Sequence, residues 1–420
     1  MSEWETYKVS DLENANVLKV EDGNHGEYRP RSNEFGDQGT PFIRSADIDN
    51  NRILFKTAEK INQVALNRIR KGIGEPGDIL FSSKGTIGKI AIAPMDCQDF
   101  VCSPQVTFWR SLDSDFLDRW FLYYYIHSHH FQQQVNARCR ETDMAPYISL
   151  TNQREFKISV PDIEEQRRIS TVLLCLDHKI ENLRRQNETL KIIVQTLFKQ
   201  WLVDFEFPNK DGKPYKSSGG EMVRSELGEI PIGWFIDPLD EIANFLNGLA
   251  LQNYPAKSDN FLPVIKIREM KAGITANTEK ASLEIPSQYV IDNGDVIFSW
   301  SGSLEIIIWC FGKGALNQHL FKVSSKKYPK WFYYLWNLEH LNHFRAIAKG
   351  KATTMGHIQR KHLSEALCYV PDDSQLRIMN STMSPILEKL IKNSLQIQTL
   401  TKTRDVLLPQ LMSGQLRITQ

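Results

Sequence analysis

Between His343 and His362 the chain carries His343, Arg345, Lys349, Lys351, His357, Arg360, Lys361 and His362, and no acid. Thr353 and Thr354 add hydroxyls beside these charges. An earlier stretch carries Arg138, Arg140, Thr142 and Arg154, diluted by Glu141 and Asp143. Arg, Lys, Ser and Thr on loops make most contacts to phosphate oxygens, and such contacts set affinity for nucleic acid. A solvated basic face is the plainer reading. Recurrence of the cluster at matching places in two halves of the chain favours DNA.

Catalytic groups are harder to find. There is no GxxxxGK[ST] phosphate loop; Gly85 to Lys89 has the wrong spacing and reads as a turn between strands. The Asn/Asp-Pro-Pro-aromatic motif of amino-methyltransferases does not occur. Pro161-Asp162 and Asp211-Gly212-Lys213 imitate parts of a nuclease motif, but the first starts a helix and the second is a glycine turn. His127, His129 and His130 lack a nearby carboxylate or cysteine set and read as solvated surface rather than metal ligands. No Ser or Cys sits in a nucleophile elbow. The six cysteines include no CxxC pair, and the opening MSEWETYKVS has no apolar signal core, so reduced thiols and a cytoplasmic location are expected. No apolar run reaches membrane-spanning length. A net charge of +1 leaves any nucleic-acid contact to local clusters.

The elements that must position the basic clusters come twice. Trp4 and Val9 to Leu12 are echoed by Trp234 and Leu239 to Ile242, and Pro41-Phe42-Ile43-Arg44 by Pro263-Val264-Ile265-Lys266. Gly77-Asp78-Ile79-Leu80-Phe81-Ser82 returns as Gly294-Asp295-Val296-Ile297-Phe298-Ser299, and Gln105 matches Gln318. Trp120-Phe121 returns as Trp331-Phe332, and Val160-Pro161-Asp162 as Val370-Pro371-Asp372. Six matches in one order mark an internal duplication. Short apolar runs bounded by Gly, Pro, Asn and Asp predict strands, and each set precedes an aromatic-rich helix whose rings belong to the core. A stretch dense in Gly and Pro from Phe205 to Ile230 predicts a linker laid down on the protein.

Each half ends in a long helix. Ile169, Leu173, Leu176, Ile180, Leu183, Asn187, Leu190, Val194, Leu197 and Trp201 form one heptad seam. Met379, Met383, Ile386, Leu390, Asn393, Ile397, Leu400, Arg404, Leu407 and Leu411 form another. So narrow a stripe needs a partner helix. Antiparallel pairing with Asn187 opposite Asn393 sets Ile180 on Leu400, Leu183 on Ile397 and Val194 on Ile386, with Ile169 meeting Leu411 and Trp201 meeting Met379. The two amides are expected to satisfy each other. Arg404 falls opposite Leu176 and is expected to reach water. Pro385 is expected to kink the second helix or restart it at Ser384. Apolar residues off the seam, among them Phe198, Leu202, Ile192, Ile193, Leu387 and Leu395, imply further covering by the chain itself and by a partner.

With these residues in view, the chain resembles the specificity subunits of type I restriction-modification enzymes. The resemblance rests on PDIEEQRRI, on the FEFPNKDGKPYKSSGGEM to SELGEIPIGW linker, on GDILFSS, on KATTMGHIQRKHL and on Asp22-Gly23-Asn24-His25. It implies an α+β fold: two tandem target recognition domains (1–161 and 231–371) and two conserved helices (162–204 and 372–420) forming a long antiparallel coiled coil, with a linker at 205–230. It implies a non-catalytic chain that reads a bipartite, asymmetric site in double-stranded DNA. The partners implied are two modification subunits that bind S-adenosylmethionine, and restriction subunits that use ATP and Mg; no cofactor is expected on this chain, and no membrane. Expected DNA contacts in the first domain are Gly23, His25, Arg29, Arg31, Arg44, Lys84, Thr86, Arg138, Arg140 and Thr142. In the second they are Lys266, Arg268, Ser301, Ser303, Lys349, Lys351, Thr353, Thr354 and Arg360. Glu305 stands near the place of Gly88, a departure expected to alter which bases are read. A two-lobed enzyme with an unrecognised active site, or an RNA-binding scaffold, are the alternatives.

Overall fold

The computed structural model describes residues 4–139, 146–257, 259–350 and 356–418. The chain forms two compact units, 1–178 with 401–420, and 179–400. Each takes part of both long helices, which lie far apart in the sequence.

In unit 1 an antiparallel sheet runs in the order Ile90–Ile92, Ile79–Ser82, Val106–Ser111, Leu18–Asp22. A second, mixed sheet is centred on Thr40–Ile43, which pairs in parallel with Phe100–Cys102. Unit 2 repeats the plan. Asn244–Asn247, Leu320–Ser324, Val296–Ser299 and Ile306–Ile308 make the antiparallel sheet, and Leu262–Ile265 pairs in parallel with Gly314–Leu316. Ile79–Ser82 and Val296–Ser299 are buried at every residue, as their unbroken apolar patterns require. In both units the strand that follows Trp4 or Trp234 pairs with the last strand before a long helix: Glu5 opposite Val160, Phe235 opposite Val370.

The aromatic helices are core, as expected. Phe121, Leu122 and Tyr124 are buried in unit 1, and Trp331, Phe332 and Trp336 in unit 2. Unit 2 has one helix, Lys330–Lys349, where unit 1 has two, Arg119–His127 and His129–Cys139. Ser128 leaves helical geometry between these two and caps the second through its hydroxyl, which accepts from the Phe131 amide. His127 is not solvated surface: burial pushes its pKa down and its Nδ1 lies 2.9 Å from the Tyr123 carbonyl. His129 and His130 are exposed.

Asp162 and Asp372 cap the long helices by accepting amide protons from Glu165 and from Ser374 and Gln375. The first helix, Ile163–Phe198, ends in a π-helical turn at Lys199–Val203. The second, Asp373–Met412, runs unbroken through Pro385, so no helix restarts at Ser384. Seam partners share clusters as the register requires: Ile169 with Leu411 in unit 1, Val194 with Ile386 and Trp201 with Met379 in unit 2.

Two details of the seam depart from expectation. Asn187 and Asn393 are both buried but do not satisfy each other. Asn187 donates to the Ser394 hydroxyl at 3.0 Å and Asn393 to Gln186 at 3.3 Å. The amides pass one position apart, and each finds the nearest acceptor on the other helix. Arg404 does not reach for water. It donates to Asp177 at 2.8 Å, and Asp177 also accepts from the Tyr124 hydroxyl at 2.7 Å. A polar triad thus replaces one apolar layer in unit 1.

Phe198, Leu202 and Leu387 lie off the seam but are buried in the core of unit 2. Ile192, Ile193, Ile378 and Val406 remain exposed. The linker is laid down on its own unit: Phe207 is stacked between Tyr215 and Trp234, at 4.6 and 5.2 Å between ring centroids.

The triad gives a stability prediction. Asp177→Leu leaves the Tyr124 hydroxyl without its acceptor and Arg404 with only its neighbour Asp405, to which it donates at 2.7 Å. The Arg404–Asp177 pair retains 18% and 23% exposure, so the cost should be about 2 kcal/mol, below the ~3–5 kcal/mol of a fully buried pair. Asp177→Leu combined with Arg404→Leu should recover most of it in urea melts; simple additivity would mean the pair is not coupled.

Candidate nucleic-acid interface

At one end of the antiparallel sheet in unit 1, Ser83–Gly88 connects two strands. Ser82 pins this loop from inside: its hydroxyl donates to the Thr86 carbonyl at 2.6 Å and accepts from the Lys89 amide at 2.8 Å. The tip is tied to a distant segment. The Gly85 amide donates to the Pro146 carbonyl at 3.3 Å, and Ile148 to Ser83 at 2.9 Å. The Ser83 amide donates to the Gln105 carbonyl at 2.9 Å.

Unit 2 repeats this frame bond for bond. The Ser299 hydroxyl donates to the Ser303 carbonyl at 2.7 Å and accepts from the Glu305 amide at 2.8 Å. Gly302 donates to Gly356 at 2.8 Å, Ile358 to Trp300 at 3.0 Å, and Trp300 to His319 at 3.3 Å. Lys84 bridges Tyr147 as Ser301 bridges His357. The backbone is the same and the side chains differ.

This frame corrects two alignments. Val106 pairs with Ser82 and Leu320 with Ser299, so Gln105 corresponds to His319, not Gln318. Glu305 takes the place of Lys89, not of Gly88, because both amides bond the same serine hydroxyl and the second loop is one residue shorter. The charge there is inverted. Lys89 donates to the Ser45 carbonyl at 2.9 Å, whereas Glu305 faces Arg345 at 3.4 Å and Lys271 at 3.7 Å.

Gly23 is a backbone crossing rather than a contact residue. It is buried, and a Cβ there would lie 1.9 Å from the Ser103 carbonyl oxygen. Gly248 is its counterpart, 2.2 Å from Asn317 by the same construction. The repeat match at 23 and 248 was the missed signal. Past Gly23, His25, Arg29 and Arg31 are exposed on one loop. Burial pushes the Asp22 carboxyl up, against the charges of His25, Arg154 and Lys71.

Several expected contacts are engaged within the protein. Arg44 pairs with Glu59 over the Phe35 and Phe42 rings, and its counterpart Lys266 pairs with Glu279 at 2.5 Å. Arg268 donates to Glu269 at 2.8 Å and to the Asn277 carbonyl at 3.0 Å. Ser301 is not available to a ligand: it is buried, with its hydroxyl 3.1 Å from His319 Nδ1. Ser303 is exposed and accepts from Lys271 at 2.9 Å. Arg360 donates to the Phe245 carbonyl at 3.2 Å and covers the Phe321 ring. Arg154 pairs with Glu13. Lys84 and Thr86 are exposed on the first loop, Lys84 over the Tyr147 ring at 5.7 Å. Arg138 lies on the second aromatic helix of unit 1, and Lys349 is exposed at the end of the unit 2 helix. Arg140, Thr142, Lys351, Thr353 and Thr354 lie outside the described residues.

The His343–His362 cluster is therefore not one surface. Arg345 holds the Trp300–Glu305 loop by donating to the Leu304 carbonyl at 3.1 Å, and His362 is a buried cap that accepts from the Gln359 amide at 3.0 Å. The sequence reading also missed Tyr147, Gln105, Trp300 and His319. Trp300 packs with His319 and His357, at 5.8 and 6.4 Å between centroids, and donates to Asn247 at 3.0 Å. These residues sit beside the repeated strand motif, so the motif carried the signal; their side chains, which differ, did not.

Each unit thus presents one loop cluster of donors, acceptors and partly exposed rings. This is binding chemistry. Among the described residues no group of three or more His, Cys, Asp or Glu could hold a metal ion, and no helix is long and apolar enough to cross a membrane.

A family model described as "Type I restriction modification DNA specificity domain" matches residues 1–191 and 231–404. The chain is 26% identical over 435 residues to the type I restriction enzyme MjaIX specificity subunit of Methanocaldococcus jannaschii, covering 99% of this chain and 94% of the relative. It is 22% identical over 492 residues to the HindI specificity subunit of Haemophilus influenzae, covering 99% and 100%. A crystal structure of the S subunit of a type I restriction-modification system from M. genitalium shares the fold, with a TM-score of 0.58, 14% identity, and 97% and 96% of the two chains covered.

The glycine crossings give a direct test. Gly23→Ala and Gly248→Ala put a methyl group into a carbonyl oxygen that cannot move aside. Each should cost more than about 2 kcal/mol in urea melts. Gly36→Ala, at an open position, should stay within about 0.5 kcal/mol. Equal effects at all three would rule out the crossing as a constraint.

Proposed function

The chain belongs to the type I restriction-modification DNA specificity family, and from that premise we propose that its two loop clusters each read one block of a split, asymmetric DNA site. It is a specificity subunit, non-catalytic, with two target recognition domains. The observation that carries the proposal is the repeated loop frame with unlike tips. Identical backbone bonds hold Lys84, Lys89, Gln105 and Tyr147 in one unit, and Ser303, Glu305, His319 and His357 in the other. One docking geometry with two donor and acceptor sets suits two different short sequences rather than a palindrome. His25, Arg29, Arg31 and Lys349, exposed beside these tips or on the same units, are assigned to phosphates.

Base-specific contacts are worth ~1–3 kcal/mol each, whereas phosphate contacts act alike on all sequences. Tyr147→Ala or Gln105→Ala should relax the first block alone, and His319→Ala or His357→Ala the second alone. Arg29→Ala and Lys349→Ala, at positions assigned to phosphates, should weaken binding uniformly. Sequencing methylated adenines in cells that carry this chain with its modification subunit reads both blocks. A variant in one unit that changes both blocks would refute independent readers.

The same reading assigns the partners. We propose that two modification subunits, which carry S-adenosylmethionine, dock on the helical segments, and that restriction subunits with ATP and Mg join them. This chain would hold none of these cofactors. Support comes from exposed Ile192 and Ile193 in unit 2 and Val406 in unit 1, apolar residues off the seam. Ile193→Glu should weaken assembly without unfolding the chain, and light scattering of the purified complex should give two modification subunits per chain. A one-to-one complex at saturating partner would overturn the count.

A further inference from the structure

The two units differ at a place that DNA reading does not explain. In unit 2 the chain leaving the first long helix turns at Phe205, with φ of 62°, and lays Phe205 and Phe207 on Trp234. Ring centroids are 5.6 and 5.2 Å apart, the second pair stacked, and Phe205 also meets Tyr369 at 5.0 Å. Trp234 is 5% exposed as a result.

Trp4 holds the same position in unit 1. Each Trp immediately precedes the strand that pairs with the last strand before a long helix. The second long helix also ends in a left-handed turn, at Gly414 with φ of 70°, and a Cβ there would be 3.8 Å from Trp4 Nε1. Gln415, Leu416 and Arg417 come next in the chain, and none is aromatic. A groove of about 740 Å³ remains beside Trp4, lined by Tyr125, His130, Lys157, Met412 and Arg417 among others. Trp4 Nε1 is buried there without an acceptor among the described residues. No acid is among the described lining residues, while His130 and Lys157 are exposed on the rim and Arg417 lies 3.8 Å from Glu165.

We infer that this groove of unit 1 receives, from a partner polypeptide, a short acidic and aromatic segment of the kind this chain applies to itself at Asp204-Phe205-Glu206-Phe207. An aromatic ring would cover Trp4 as Phe207 covers Trp234. A carboxylate or carbonyl oxygen would accept the Trp4 indole proton, which otherwise stays desolvated and unpaired. The acidic side chains face Lys157 and His130, which favours the segment's charge and steers its approach. The partner is identified by that chemistry alone.

The probe is a fluorescein-labelled synthetic peptide of residues 203–209, Val-Asp-Phe-Glu-Phe-Pro-Asn, titrated into the full chain and read by anisotropy. Saturable one-to-one binding is expected. Lys157→Glu with His130→Glu should lower affinity at least tenfold. Trp4→Phe, which keeps a ring but removes the donor, should lower it several-fold. A peptide with both Phe replaced by Ala should not bind. Both charge reversals are at exposed positions, and retained DNA binding in the same preparation shows that the fold and the DNA reading stand independently of this result. Absence of saturable binding, or binding indifferent to the charge reversal, overturns the proposal. So does binding that appears only after removal of Thr419 and Gln420, which assigns the groove to the chain's own end. A dimer of the chain that the peptide dissociates overturns it as well, assigning the groove to a second copy.

Discussion

Neither long helix can bury its apolar stripe alone, and that constraint organises each unit. Ile169 and Leu173 are covered in unit 1 by Leu411 and Met412, which lie more than 200 residues away in sequence. Val194 and Phe198 are covered in unit 2 by Met383 and Leu387. Each unit is therefore incomplete without helical segments that lie far apart in the sequence, and unit 1 takes one of its two from the far end of the chain. The polar positions in the seam obey the same logic. A buried amide or guanidinium needs a partner wherever the register puts it, so Asn187 takes Ser394 and Arg404 takes Asp177.

The loop clusters rest on a second constraint, the close passage of two backbones at Gly23 and at Gly248. Around each crossing, a serine hydroxyl at 82 or 299 and the amides of the loop tip hold the same hydrogen-bonded frame. Side chains are free to differ only where the frame does not use them. Lys89 and Glu305 bond through their amides, so the opposite charges beyond leave the loop intact. A fixed frame with unlike tips is what the proposed reading of two different DNA blocks rests on.

Much of this was legible in the sequence because it repeats. Short buried strands, aromatic helices and two heptad stripes have periods that survive any detail of packing, and their recurrence in order exposed the duplication. The linker's Gly and Pro likewise announced irregular chain. The same reading placed Lys84, Thr86 and the His25–Arg31 loop on the surface, where they are found.

The rest waited for tertiary structure, because it depends on what lies across a gap in the chain. Composition counted Arg44, Lys266 and Arg345 as available cations, but Glu59, Glu279 and Glu305 come from elsewhere in the sequence to meet them. Ser301 looked like a loop hydroxyl until His319 was brought against it. Matching by letters set Gln105 on Gln318; strand register set it on His319, since only hydrogen bonding counts residues across a sheet. Sequence determined the repeat, the strands and the helical seam, whose patterns are local. Structure alone decided which charges are left for a ligand, because a side chain's availability is a property of its neighbours in space.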